Sequence, residues 1–417
     1  MNLIYSKKKI IIGFVFLGLA GPLFFYLVKG GFSFSREVQI LNSFGFGGNV
    51  INDFSYIKKI DSGFEILKNS APLKSRSDRY GNLIEKEIAF AVFDTETGEV
   101  FEKRGWINES QAQNYRQTGI MNIAMESAGP DINIQPNWFN SFNSDYRIVD
   151  HPEMVVVANK YLVPSSYLPP SLRSGKAYSD ITYAPYSGGL HVPEVIKEGI
   201  DYLNQKTEIA FNELESLGVK SRAEPTRLVT ELVSPDLVKN ILVVEHIDPD
   251  AFNNASNERK KELAERVLVI IGANKGLAYG LTGSHAGANG IAQFIRPTYD
   301  YISSLYPKAK LIQNYQLGTM DHDNIIKAQV LFFDRHKESL ANSISRKDLV
   351  NALGISDEML AASYNGGPSR VVQSVNKYGL AWINLQLNST SVAQIFRQET
   401  IDYIKKFQFV RGERVFE

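Results

Sequence analysis

The chain has 417 residues, 44% of them apolar and 22% charged, an ordinary globular composition with length for about two or three domains. Lys plus Arg and Asp plus Glu each total 45, so no net field argues for nucleic acid or a strongly acidic partner. The absence of cysteine excludes disulfides, thiolate catalysis and Cys-ligated zinc.

Residues 10–28 are 19 positions without a charge, which at about 1.5 Å per residue matches the hydrocarbon thickness of a bilayer. Lys7, Lys8 and Lys9 precede this run, and Lys29 alone follows it closely. That bias predicts a single-pass helix in the cytoplasmic (inner) membrane, with the N-terminus in the cytoplasm and everything after Gly30 on the periplasmic or extracellular side. The run is longer than the apolar region of a cleaved signal peptide, and no clear small-x-small site follows, so residues 1–30 read as an uncleaved anchor.

Residues 31–220 read as a mixed α/β region. Ile88–Phe93 and Glu99–Phe101 are β-prone runs separated by Asp94, Thr95, Glu96, Thr97 and Gly98, which predicts a hairpin. A helix is expected over Ser110–Ala124 and an apolar strand or buried segment over Met154–Tyr161. Asn159–Leu172 is too rich in proline for regular helix. It resembles the opening segment of D-alanyl-D-alanine carboxypeptidases, but that family's zinc-binding His and Asp motifs do not follow; His191 is the one nearby candidate ligand, and no catalytic role is carried over. Pro193–Leu217 has amphipathic spacing for a long helix ending near Gly218, and Lys220–Thr226 then links the halves.

Residues 221–417 read as predominantly α. Ser234 caps a helix whose first turn holds Pro235 and Asp236. Val238, Ile241, Leu242 and Val244 repeat at helical spacing, and Glu245 falls on the same stripe. Asp248 and Pro249 are expected to end the helix, leaving Glu245 near the negative end of its dipole. Partial burial and that dipole both disfavour the charged carboxylate, which predicts a general acid working near neutrality. Further helices are expected over Asn257–Ile271, Thr298–Leu305, Asn324–Leu340, Arg346–Leu353, Asp357–Tyr364, Ser369–Lys377 and Thr400–Phe407, with Asn365–Pro368 as a strong stop.

Four pieces of this half coincide with one pattern. They are Glu245 in ILVVEHID; Ser284, Gly287, Ala288, Gly290 and Gln293 in SHAGANGIAQF; Ala362, Tyr364, Asn365 and Gly367 in AASYNGGPSRV; and Glu399, Thr400 and Tyr403 in QETIDYI. In this order they resemble the soluble-type lytic transglycosylases, whose catalytic domain is similar to goose-type lysozyme. The departures are His246 where the pattern has Ser, Ile291 and Ala292 in the glycine-rich run, and an interval of 48 positions between Glu245 and Gln293. That interval exceeds the pattern's by roughly 30 residues. The extra segment contains Asn257–Ile271, readable as a lid, a docking helix or plain packing, with a polar first half suited to a half-exposed position.

The resemblance implies an α+β chain with a lysozyme-like C-terminal domain that cleaves peptidoglycan glycan strands and closes a 1,6-anhydro ring. Glu245 would be the catalytic residue, and Ser284, Gly290, Gln293, Tyr364, Asn365, Glu399 and Tyr403 would contact substrate. No cofactor or metal is implied. Glycines 287 and 290 would let backbone approach a sugar, and the Tyr364 phenol would reach the acid or the substrate. Two alternatives stay open. One is a muramidase-type hydrolase with a second carboxylate, for which Asp248 and Asp250 are closest in sequence. The other is an inactive glycan-binding scaffold tethered through residues 10–28, with the N-terminal half serving envelope-complex partners.

Overall fold

The computed structural model describes residues 54–284, 287–388 and 394–416. The run at 10–28 expected to span a membrane lies outside them. Among the described residues no helix is long and apolar enough to cross one. The described chain is mixed α/β: a sheet-bearing N-terminal part is followed by a helical C-terminal region.

The expected hairpin is the centre of the main sheet. Strands β2 (Leu83–Asp94) and β3 (Val100–Asn108) pair antiparallel, and the sheet runs in the order β4 (Ile123–Met125), β3, β2, β7 (Met154–Pro164), β8 (Tyr178–Tyr183), with β1 (Ser75–Ser77) also against β2. In the turn Asp94 Oδ1 accepts from the Glu96 and Thr97 amides, and Gly98 takes φ +79°, a region open to glycine at little cost. Helix α1 (Tyr56–Asn69) lies on one face, where Gly63 meets Ala91 and Val157. On the other face Tyr146 of β6 (Asp145–Ile148) packs edge-on to Phe90, with ring centroids 5.0 Å apart. Burial on both faces explains why β2 reads as a continuous apolar run rather than an alternating one.

The helix expected over 110–124 is shorter. Helix α2 (Glu109–Thr118), capped by Asn108, stops at Gly119 in the left-handed region, and Ile123–Met125 leaves to form edge strand β4 against β3. The glycine stop outweighs the helical spacing beyond it. Strand β7 (Met154–Pro164) runs through the expected segment to Pro164, then breaks into two short 3₁₀ turns at Ser165–Tyr167 and Pro170–Leu172. His191 bonds the Tyr186 hydroxyl and Glu265 at 3.0 Å each, so it joins the sheet-bearing part to the helical region. Among the described residues no group of three or more His, Asp or Glu side chains is placed to hold a metal.

The helical region comprises α3 (Pro193–Ser216), α4 (Pro235–Val244), α5 (Pro249–Asn253), α6 (Asn257–Asn274), α7 (Arg296–Leu305), α8 (Tyr315–Met320), α9 (His322–Ser343), α10 (Lys347–Leu353), α11 (Asp357–Gly366), α12 (Pro368–Tyr378), α13 (Trp382–Asn388) and α14 (Gln398–Gly412). Residues 220–226 are pinned rather than loose. The buried Asp334 carboxylate on α9 accepts from Ser221 Oγ, the Arg222 amide and the Tyr306 hydroxyl, which is how a buried charge is tolerated.

Helix α6 carries the extra segment, and it is a packing element. Its first turns are exposed, whereas Val267–Asn274 is wholly buried. It crosses α3 at Gly199 and Gly272, where a Cβ would meet the Leu268 and Val195 carbonyl oxygens at 2.1 and 2.3 Å. Asn274 then exchanges hydrogen bonds with the Ala184 backbone, and Arg266 pairs with Asp145 at 2.9 Å. The segment between Glu245 and the glycine-rich run therefore binds the N-terminal sheet to the helical region.

Candidate active site

Glu245 is the C-cap of α4, the residue directly after Val244, and local chemistry puts it there. Ser234 Oγ accepts from the Asp236 and Leu237 amides to start the helix. Leu237, Val238, Ile241, Leu242, Val243 and Val244 are all buried, so α4 is enclosed on every side and its end is fixed. Asp248 and Pro249 do more than stop it. Asp248 Oδ1 accepts from the Ala251 amide and opens the next short helix, α5.

The glycine-rich run folds as a hairpin of two short strands, with Ala288 opposite Ile295 and Asn289 opposite Phe294. Ser284 Oγ accepts from the Ala288 amide at 3.0 Å. Gln293 has φ +49°, a strained value for a side chain with a Cβ. Its Nε2 donates to the Gly290 carbonyl at 2.7 Å, which holds the strained turn. Gly290 itself has φ +76°, and a Cβ there would meet the Thr319 carbonyl oxygen at 2.1 Å. The expectation that Gly290 exposes backbone to a sugar is corrected: it is glycine because α8 presses against it.

The third and fourth pieces interlock. Thr400 Oγ1 donates to Asn365 Oδ1 at 2.7 Å, and Asn365 Nδ2 donates to Glu399 Oε1 at 3.4 Å. Gly366 leaves room for Thr400, whose side chain a Cβ would meet at 2.8 Å. Tyr364 does not reach the acid, because its hydroxyl donates to the Ala292 carbonyl at 2.6 Å. Tyr403 does, donating to Glu245 Oε1 at 2.6 Å.

These parts enclose one open cleft of about 380 Å³. Glu245, Ser284, Gln293, Tyr364, Asn365, Glu399 and Tyr403 all line it, and Gly290 does not. Asp248 and Asp250 are exposed and absent from its walls, whereas Glu399 is the second carboxylate in them. No family model, curated protein or solved structure matches the chain.

Burial pushes the Glu245 pKa up to about 7; the Tyr403 hydrogen bond and the Lys406 charge pull against that, and Glu399 adds to it. Burial also raises Glu399 above the usual carboxylate range. Lys406 has its pKa pushed down to about 8 by burial, against the pull of Glu245 and nearby aspartates. Its ammonium donates to the Val244 and Ile247 carbonyls at 2.9 and 2.8 Å, closing the C-terminal end of α4.

Several contributors escape the sequence reading. Lys406 lies three positions after Tyr403, on the same face of α14, and that spacing is the one signal for it. His246 stacks on Tyr279, with centroids 3.6 Å apart, and its Nε2 donates to the Ile291 carbonyl at 2.8 Å. Burial keeps it neutral, with a pKa near 3. The departure from serine thus ties the end of the acid's helix to the glycine-rich hairpin. His336 and Ser363 also line the cleft; both are buried, and Nδ1 and Oγ have no partner among the described residues.

Proposed function

We propose that the chain is a peptidoglycan lytic transglycosylase with Glu245 as its single acid and base, in a lysozyme-like helical region. The observation that carries this reading is the state of Glu245: a half-buried carboxyl in the wall of an open cleft, with a pKa near 7 and one oxygen held by Tyr403. A group at that pKa is substantially protonated at neutral pH and releases its proton at small cost, as a residue acting as acid and then base must. The order of the four sequence pieces supports the same reading.

In the proposed reaction protonated Glu245 donates to the oxygen bridging N-acetylmuramic acid and N-acetylglucosamine, and that glycosidic bond breaks. The muramic acetamido group stabilises the positive centre. Glu245, now a carboxylate steadied by Tyr403 and the Lys406 charge, takes the proton of the same sugar's C6 hydroxyl. The C6 oxygen closes the 1,6-anhydro ring, and no water is consumed. Residues 10–28 would hold the enzyme at the outer face of the cytoplasmic membrane, and the sheet-bearing part is the natural surface for envelope-complex partners.

A second reading is favoured by Glu399, which stands in the same cleft: a hydrolase in which it activates water. Product mass separates the two. Digestion of purified peptidoglycan should release anhydromuropeptides, and Glu245→Gln should abolish release while retaining glycan binding. Products heavier by one water support the hydrolase; no cleavage by the native chain supports a binding scaffold.

A further inference from the structure

A second cavity of about 430 Å³ shares Ser284 and Ala288 with the Glu245 cleft, and its other walls include Asn289, Arg296, Asn314 and Gln316. Each of the three amides has one end engaged within the protein. Asn289 Nδ2 donates to Thr319 Oγ1 at 2.8 Å, Asn314 Oδ1 accepts from the Leu317 amide at 3.0 Å, and Gln316 Nε2 donates to the Tyr167 carbonyl at 3.1 Å. The opposite ends, two carbonyl oxygens and one NH₂, have no partner among the described residues. A wall offering fixed acceptors and a fixed donor suits hydroxyls and acetamido groups, which present both.

Two further features narrow the ligand. Among the described residues Arg296 is the one cation in these walls; its side chain is 73% exposed, and its contact with Asp300 is a single long one at 3.5 Å. It has donors for a carboxylate. The hydrogen bond from Gln316 fixes the backbone of Tyr167 beside this cavity, and Tyr167 is 72% exposed, which leaves most of its side chain accessible to a ligand. Tyr167 belongs to the sheet-bearing part, which α6 and its contacts hold against the helical region.

We propose that this second cavity is a saccharide subsite continuous with the Glu245 cleft. It takes further units of an N-acetylated glycan strand, pairs a carboxylate borne by the strand with Arg296, and has Tyr167 as a stacking platform supplied by the N-terminal part. The inference rests on the reading of the Glu245 cleft as a glycan site. It gives the sheet-bearing part a direct share in substrate binding.

The full chain carrying Glu245→Gln, which binds without turnover, is titrated calorimetrically with the N-acetylglucosamine trimer and hexamer. The hexamer should bind about tenfold more tightly than the trimer. Adding Tyr167→Ala or Gln316→Ala should remove about fivefold of that advantage and leave trimer affinity unchanged. Arg296→Gln should weaken a muramic-acid-containing tetrasaccharide and leave the N-acetylglucosamine hexamer unaffected. A trimer that binds while the hexamer ratio ignores Tyr167 and Gln316 overturns the subsite alone. If neither oligomer binds a chain that melts like the native one, the glycan reading of the main cleft fails with it.

Discussion

The Tyr403 hydroxyl donates to Oε1 of Glu245 at 2.6 Å, joining residues 158 positions apart. A hydrogen bond to a carboxylate favours its charged form, so Tyr403 holds the Glu245 pKa below the value burial alone would set. In Tyr403→Phe the pKa rises. The proposed cleavage needs the protonated acid, so the high-pH limb of the rate profile should move to higher pH, while the maximal rate falls about tenfold as the carboxylate loses a charge-assisted bond. An unmoved limb would show that the bond is not felt by the acid.

Glu245 also links stability to pH. Its pKa is 4.5 for an ordinary glutamate and about 7 in the folded chain, so the folded state holds this proton more tightly than the unfolded one. The associated stability is fully present below 4.5 and is lost as pH rises through about 7. Glu245→Gln has no proton to lose. Its melting temperature relative to the native chain should rise by a few degrees between about pH 5 and pH 8. Melting curves with a constant offset across that range would contradict the raised pKa.

Lys406→Met removes the donor to two buried carbonyls at the end of α4. Loss of stability of about 2–4 kcal/mol is expected from urea midpoints. The variant should also raise the Glu245 pKa, since the Lys406 charge lowers it. Stability unchanged within error would remove Lys406 from its capping role.

The α3–α6 crossing predicts a contrast between neighbouring glycines. In Gly272→Ala the new methyl would meet the Val195 carbonyl oxygen at 2.3 Å, backbone that cannot turn aside, and a loss of about 3 kcal/mol is expected. In Gly276→Ala the nearest atom is the Tyr202 hydroxyl at 3.8 Å, and little change is expected. Equal melting temperatures for the two variants would mean that the helices do not meet there.

His246→Ser restores the residue of the transglycosylase pattern and should lower both stability and turnover. It deletes the stack on Tyr279 and the bond to Ile291, which together fix the hairpin carrying Gln293 against the acid. His246→Gln keeps a donor and should recover part of the turnover. Full activity in the serine variant would show that the tie is dispensable.

The parts of the site readable in sequence are those set by local chemistry or by shared motifs. Ser234, Pro235 and the apolar stripe mark α4 and the Glu245 that caps it because a cap and a periodicity are properties of a short run of consecutive positions. The four motif pieces supply nine residues of one cleft's walls without saying which atoms meet. Nothing near Tyr364 or Tyr403 reveals that the first phenol goes to the Ala292 carbonyl and the second to Glu245; that choice is made by the crossing of α11 and α14. Gly290 misled for a related reason, since a glycine that admits a ligand and one that admits another helix look alike in sequence. The α6 helix was ambiguous because its charged start and apolar end describe its own faces and not the partner that covers them.

The Gly199–Gly272 contact has a practical corollary for anyone wishing to isolate the helical region. A polypeptide begun at residue 221 would retain α6 but discard α3, so the stripe from Leu263 to Asn274 would lose the surface that shields it from water. Such a fragment is expected to clump on expression, and shortening should begin no later than Val192, ahead of the first residue of α3.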